Sequence, residues 1–286
     1  MTIHIETNQL QTKSFEAEVF RAYQKTESTL RKFCTTRSIS GISHQFPKYG
    51  TLAAVERIVG TPVVAANQST DKVEISIARF SVATYTDIFL QSEVNFDDKE
   101  EAVQAIVSAA NRKTDQIIID ALEAQRTGAG YTLSVGVNIG GNNSSLNVAK
   151  FAEIARLYDL NNIIRNERNL LVHANAYHKF TQETTVASSD YNNYQVLTSG
   201  KIPAYYGITI NSMGNIENEN GMKVASNIRY NYAVQKAALG FVENKALTTE
   251  VNYVPTMAAH LAACFFSCGS KVIEEKGIIP VQTYEA

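Results

Sequence analysis

Residues 97–126 constrain the fold more than any other stretch, because capping, periodicity and length agree there on one long helix. Asp97 stands three residues before Glu100 at the head of an apolar periodic run, which puts a side-chain acceptor at the helix start and acids in its first turn. Val103, Ile106, Val107, Ala110, Thr114, Ile117, Ala121 and Leu122 then recur at spacings of three and four. Lys99, Glu101, Asn111, Arg112, Asp115 and Glu123 fall mostly elsewhere on the wheel, so the pattern predicts one buried face and one wet face. Thr127 and Gly128 supply the stop. At about 1.5 Å per residue the rod is roughly 40 Å or more long. It can brace a flat, extended subunit, and an ordinary α/β core would also accommodate it.

A length of 286 residues admits one large mixed domain or two interleaved subdomains. With 44% hydrophobic and 19% charged residues the composition is that of a folded protein. Lys and Arg number 26 against 28 Asp and Glu, so no global positive field holds nucleic acid, and any such contact is expected to be local and weak. Residues 1–13 lack a basic and then apolar leader, and no run is long enough to span a bilayer, which leads us to expect a soluble protein kept in the cytoplasm. Cys34, Cys264 and Cys268 form no CxxC pair and have no matching histidine pair, so neither zinc nor a disulfide is expected. Cys264 and Cys268 share a face if residues 256–268 are helical, and we read them as packing.

In sequence order, residues 12–24 predict a short helix with Ser14 as N-cap and Phe15, Val19 and Tyr23 on one side, preceded by a polar arm. Residues 37–47 read as an extended connection, since Pro47 excludes helix around it. From 51 to 82 the pattern is that of a long hairpin. Val73, Ile75 and Ile77 alternate with polar or small residues, and the parity then switches to Phe80 and Val82, as a bulge or strong twist near Ala78 and Arg79 requires. Residues 52–59 are the expected partner strand. The tip at 60–70 carries Thr61, Pro62, Val63, Val64 and Asn67. It is too long for a tight turn and bears no charge cluster and no catalytic group, so it is expected to project and to need a partner.

Beyond the long helix, residues 131–137 alternate as a strand and lead into a glycine- and asparagine-rich turn at Gly136, Gly140 and Gly141. That turn matches neither GxGxxG nor the P-loop, and Lys150 is too far along to be a P-loop lysine. Phe151, Ile154, Leu157 and Tyr158 give a second amphipathic helix, and residues 169–173 a short buried strand. His173 and His178 lack a companion acid or third ligand in any recognisable motif, so a satisfied polar position at a strand end is the expectation. Residues 188–194 suit a surface loop or intersubunit contact. Strand alternation returns at 201–212, followed by a loop at 215–223 and a strand with a short helix at 227–242. A strand at 251–255, a helix at 260–266 and a closing strand within 272–281 complete the reading.

The order of arm, projecting hairpin, long helix and mixed α/β body resembles the tailed-bacteriophage major capsid proteins with the Hong Kong 97-type fold, short-tailed phage subunits most of all. The likeness runs through Glu18-Val-Phe-Arg-Ala-Tyr23, Arg37-Ser-Ile-Ser-Gly41, Gln45-Phe46-Pro47, Gly50, Asp71-Lys-Val-Glu-Ile-Ser-Ile77, Ala109-Ala110 and Asp115. It is good from Phe15 to about Ala124 and thinner afterwards, at 200–212 and 269–280. The resemblance implies an α+β protein divided into an N-terminal arm and first helix at 1–48, an extended hairpin loop at 49–82 and a peripheral domain at 83–142 with spine helix 97–126. It further implies an axial domain at about 143–241 and a return to the peripheral domain with a C-terminal strand at 242–286. Function follows in the same terms: self-assembly, through pentamers and hexamers, into an icosahedral shell around double-stranded DNA. A portal and a separate scaffolding protein would assist, a cement protein would be an optional addition, and DNA would be held without sequence preference. No membrane, cofactor, metal or catalytic residue is implied. The protein is expected in the virion capsid, and in the host cytoplasm during assembly.

Two other readings stand beside this one. A nanocompartment shell of the encapsulin kind would keep the fold and enclose a cargo enzyme. An enzyme would use the glycine-rich loop at Gly136 to Gly141 with His173 or His178, without a recognisable nucleophile, metal set or carboxylate pair.

Overall fold

The computed structural model describes residues 28–56, 59–60, 62, 65, 67–88, 98–183, 186, 202 and 204–285. The elements run β1 (Thr35–Ser38), β2 (Ser43–Tyr49), β3 (Thr70–Ser76), β4 (Ala78–Asp87), α1 (Asp98–Thr127), α2 (Val148–Leu160), β5 (Arg168–His173) and α3 (Ala174–Thr181). They continue with β6 (Ala204–Tyr205), β7 (Ile208–Met213), β8 (Val224–Ala225), β9 (Ile228–Gln235), β10 (Leu239–Glu243), β11 (Thr248–Val254), β12 (Ala259–Val272) and β13 (Ile278–Tyr284). The helix expected at 12–24 and its Ser14 cap, the Asp97 cap and the loop at 188–194 lie outside the described residues.

Two sheets share one helix. In the first, β12 is the long central strand: β10 and then β11 pair along one side of it, β4 along the other, and β1 joins β10 in parallel. In the second, the order is β13-β9-β5-β7-β6, with β8 against β9. Strand side chains point alternately to opposite faces, and here both faces are used. Leu171, Tyr232, Val234 and Ile278 join Ile106, Ala110, Ile118, Ile119 and Leu122 of α1 in one core with Ala262, Cys264 and Phe266 of the first sheet. Leu170, Val172, Ala233, Ile279 and Val281 face the other way, into a core closed by Phe151, Ile154 and Tyr158 of α2 and Ala176 and Phe180 of α3. That double burial explains why β5 is buried along its whole length and why Leu170, Leu171 and Val172 follow one another without alternation.

Several expectations change. Helix α1 forms, but Arg112 and Asp115 are buried, whereas the wheel leaves both to solvent. The reason is that α1 is covered from more than one side, by both sheets and by the 28–34 segment, so Ile118 and Ile119 are buried while Ile117 is only partly so. The strand partnering β3 is β2, not residues 52–59, and Pro47 sits within it opposite Lys72. The parity switch falls at Ile77, where the backbone leaves β3 and enters β4 in a different sheet. Residues 131–137 contribute only a single bridge, Val135 to Val281. The helix expected at 260–266 is the middle of β12, a strand of 14 residues. Cys264 and Cys268, four apart, still share its buried face, and all three cysteines are free and buried. Burial pushes the Cys34 and Cys268 thiols up to about 12, as inert core groups.

Candidate assembly interface

Strands β2 and β3 form a two-stranded ribbon that is in neither large sheet. Its root lies against the face of the first sheet opposite α1. Ile75, 1% exposed, is the ribbon's anchor. Two glycines make its seat: a Cβ on Gly240 would stand 2.7 Å from Ile75 Cδ1, and one on Gly269 would stand 2.1 Å from the Ser76 carbonyl oxygen. Backbone can approach backbone there only because neither strand carries a side chain at that point. Lys271 Nζ donates to the Glu74 carbonyl at 3.3 Å, Lys48 pairs with Glu274 at 2.9 Å, and the Ile77 amide donates to the Ile42 carbonyl at 3.0 Å.

At the other end the ribbon closes where the Gly50 amide donates to the Ser69 carbonyl at 2.8 Å and Gln68 Nε2 donates to the Gly50 carbonyl at 2.7 Å. Past that point the described residues 51–56, 59–60, 62, 65 and 67–69 are all exposed. Of the tip residues singled out above, Pro62 and Asn67 are exposed, and Thr61, Val63 and Val64 lie outside the described residues. Sequence reasoning missed a second set. Leu52, Val55 and Val59, at 56%, 73% and 98% exposure, were assigned to a paired strand and instead stand in solvent with no regular structure. Their spacings of three and four, which do not alternate, carried that signal. Each would gain about 1.5–3 kcal/mol on full burial, so each is an apolar group left to solvent beyond a ribbon rooted by Ile75.

The spine helix fixes the base of the N-terminal part. Asp115, fully buried, accepts from Ser28 Oγ at 2.6 Å and from the amides of Leu30 at 3.1 Å and Thr29 at 3.3 Å. Farther along α1, Glu123 is bound by Arg126 and by the Tyr232 hydroxyl, while the Arg126 guanidinium stacks on the Tyr230 ring at 3.9 Å. Burial alone would push the Glu123 carboxyl up, but the hydrogen bonds from Arg126 and Tyr232 outweigh it and hold it below the usual range.

The residues considered for catalysis are engaged elsewhere. The turn at Gly140 and Gly141 is tied by Asn147 Nδ2 to the Ile139 carbonyl at 2.9 Å and by Ser144 Oγ to the Val137 carbonyl at 2.8 Å. Lys150, with no exposed surface, donates to the carbonyls of Ser144 and Gln282, both at 2.7 Å, and so fastens this loop to β13. Burial pushes its ammonium down to about 8. His173 Nδ1 accepts from the Asn175 amide and caps α3, and its Nε2 lies 3.1 Å from Asn215 Oδ1. His178 is exposed and its Nε2 lies 3.1 Å from Gln182 Nε2. The described residues thus place His173 at the strand end as a satisfied polar group.

A family model described as phage capsid protein matches residues 7–285. No curated protein matches this sequence. Among solved structures, the capsid of cyanophage P-SCSP1u is similar at TM-score 0.76 and 18% identity, over 98% of this chain and 94% of that one. The structure of Mycobacterium phage Che8 is similar at TM-score 0.73 and 14% identity, over 96% and 97%. The capsid of Helicobacter pylori bacteriophage KHP30 is similar at TM-score 0.74 and 10% identity, over 100% and 99%. At these identities the likeness is one of fold.

Proposed function

The chain belongs to the phage capsid protein family, and on that premise we propose that the β2–β3 ribbon with residues 50–69 is the arm by which each copy grips its neighbour. The protein is a major capsid protein with the Hong Kong 97-type fold, a structural component of an icosahedral bacteriophage capsid. The observation that carries the arm is its construction: Ile75 holds the root rigidly, while Leu52, Val55 and Val59 are left in solvent. Apolar groups on a fixed ribbon are costly in a monomer and useful in a closed symmetric assembly, where one contact repeats at every interface.

In this reading the shell encloses the double-stranded DNA genome of a tailed phage. DNA is held by confinement and local charge, in keeping with the near balance of 26 basic and 28 acidic residues. The protein works by assembly and not by catalysis. Its partners are other copies in pentamers and hexamers, a separate scaffolding protein, a portal and, in some shells, a cement protein. Its place is the virion, after assembly in the host cytoplasm. We assign residues 1–48 to the arm and first helix, 49–82 to the extended loop, 83–142 to the peripheral domain and 143–241 to the axial domain. The return segment 242–286 then serves both regions, since β11 and β12 stand in the first sheet and β13 in the second.

The test is to replace residues 61–67 by a Gly/Ser linker of equal length. The described residues of that stretch, Pro62, Ala65 and Asn67, are exposed and belong to neither core, so the variant is expected to fold, to give a wild-type circular dichroism spectrum and to melt cooperatively. It is expected to fail in closing shells, as read by sedimentation and negative-stain microscopy. Normal-sized, salt-resistant particles from the linker variant refute the assignment of the tip.

A further inference from the structure

The spine helix carries a buried amide that the assembly reading leaves unused. Gln116, 1% exposed, donates from Nε2 to Asp120 Oδ1 one turn farther along α1, at 2.7 Å. A carboxylate only accepts, so this bond fixes which end of the amide is oxygen. Oε1 is thereby aimed at the loop between β7 and β8, where it accepts from the Gly221 amide at 2.7 Å. Gly221 has φ +58°, a left-handed conformation that favours glycine. It follows Asn220, and the two form the one Asn-Gly pair in the sequence.

An asparagine before a glycine is the peptide unit most open to attack on itself. The glycine amide nitrogen, unhindered by a Cβ, gives up its proton and bonds to the asparagine Cγ. The Cγ–Nδ2 bond breaks and ammonia leaves, carrying a proton. Water then opens the resulting five-membered imide at either of its two carbonyl–nitrogen bonds, giving aspartate or isoaspartate. No oxidant or reductant takes part. Asn220, Gly221, Gln116, Asp120, Glu123 and Lys223 line a cavity of about 410 Å³, open to the water that this last step consumes.

We propose that Asn220–Gly221 is a latent deamidation site and that Gln116 is the latch that keeps it closed in the folded subunit. The hydrogen bond to Gln116 Oε1 holds the very proton that the attacking nitrogen must lose, and it points that N–H at the helix. Where the latch opens, a new carboxylate appears in the cavity that Asp120 and Glu123 already line, with Lys223, 3.6 Å from Glu123, as the ammonium group on the same wall. Isoaspartate also adds a backbone carbon at this point and so alters the loop's path along α1.

The test uses the purified full-length protein at mildly alkaline pH, with aspartate and isoaspartate at position 220 counted by peptide mass spectrometry. The wild type should react slowly when folded and fast in urea. Gln116→Ala should react about tenfold faster than wild type when folded, the factor expected for the loss of one hydrogen bond, and at the same rate in urea. Asn220→Gln should yield no product at this position. Amide hydrogen exchange on the wild type, which needs no variant, should show the Gly221 proton more protected than that of Asn220. A folded wild type that deamidates as fast as the urea-unfolded protein overturns the proposal. So does an unprotected Gly221 amide, or a folded Gln116→Ala that keeps the wild-type rate. If Gln116→Ala does not fold, the exchange pattern and the ratio of folded to unfolded rates decide alone.

Discussion

Replacing Gly269 by alanine puts one methyl group under the root of the ribbon. The new Cβ would stand 2.1 Å from the Ser76 carbonyl oxygen, 3.1 Å from its carbon and 3.5 Å from Ile75 Cγ2. A carbon and an oxygen rest at about 3.3 Å or more, so the contact must open by roughly 1 Å. The obstructing atom is backbone, and relief comes only by lifting β3 off the sheet and unseating Ile75. Overpacking of this kind costs about 1–3 kcal/mol, offset by the roughly 0.5–1 kcal/mol that alanine gains over glycine in a strand. The net loss centres near about 1 kcal/mol, a fall of about 2–4 °C in melting temperature for a protein of this size class. Gly240→Ala is the matched control. Its Cβ would meet Ile75 Cδ1 at 2.7 Å and Ile273 Cδ1 at 3.0 Å, which are ends of side chains that can turn aside. Urea unfolding is expected to rank Gly269→Ala below Gly240→Ala, and sedimentation should show a larger loss of shells in the same order, because the displaced element is the ribbon proposed as the assembly arm. A Gly269→Ala protein as stable as wild type, assembling at the same threshold, refutes the claim that close backbone approach sets the ribbon's position.

Asp115→Ala removes the acceptor shared by Ser28, Thr29 and Leu30 and should cost about 2–4 kcal/mol by urea midpoint, with Asp115→Asn, which keeps one carbonyl oxygen, losing less. Equal midpoints for Asp115→Ala and wild type would show that the 28–30 segment is not clamped by α1. Lys150 gives a dependence on pH. Its folded ammonium is pushed down to about 8 from 10.5 in the unfolded state, so the unfolded state holds more protons between those values and the fold gains as pH rises through them. Against Lys150→Met, the wild type should therefore gain relative stability from pH 8 upward, and parallel pH profiles of the two proteins would contradict this. The linker at residues 61–67 should abolish shells while leaving the melt cooperative.

Much of this architecture was legible because local and global signals agreed. The α1 periodicity and the α2 stripe of Phe151, Ile154, Leu157 and Tyr158 each left one consistent answer; the parity switch was visible but read as a bulge near Ala78 and Arg79, where the chain in fact passes from β3 to β4 in another sheet. What failed did so for physical reasons. A wheel assumes one wet face, and α1 has little of one along its middle, so Arg112 and Asp115 look solvated in sequence and are buried in the fold. Spacings of four satisfy both a helix and a strand, which is why Cys264 and Cys268 allowed a helix where β12 runs. Pro47 excluded helix and left residues 37–47 as an extended connection; its end is instead paired in β2, in a two-stranded ribbon whose outer edges tolerate a missing amide hydrogen. At the candidate interface, length and neutrality suggested a projecting tip, of which Pro62 and Asn67 are described and exposed, while Leu52, Val55 and Val59 were hidden by being given a partner strand they do not have.

The position of β13 bears on when this protein can fold during its synthesis. Residues 278–284 lie beside β9, and Ile278, Ile279, Val281 and Thr283 have essentially no exposed surface, so they wall both cores. At the other end, β1 pairs with β10, some two hundred residues later in the sequence. Neither core can close on a ribosome-bound fragment that stops short of residue 284, because the last wall is not yet made. Contacts of such long sequence separation form slowly and leave apolar strands uncovered meanwhile. A fragment lacking β13 therefore leaves uncovered apolar side chains that the whole fold buries in both cores.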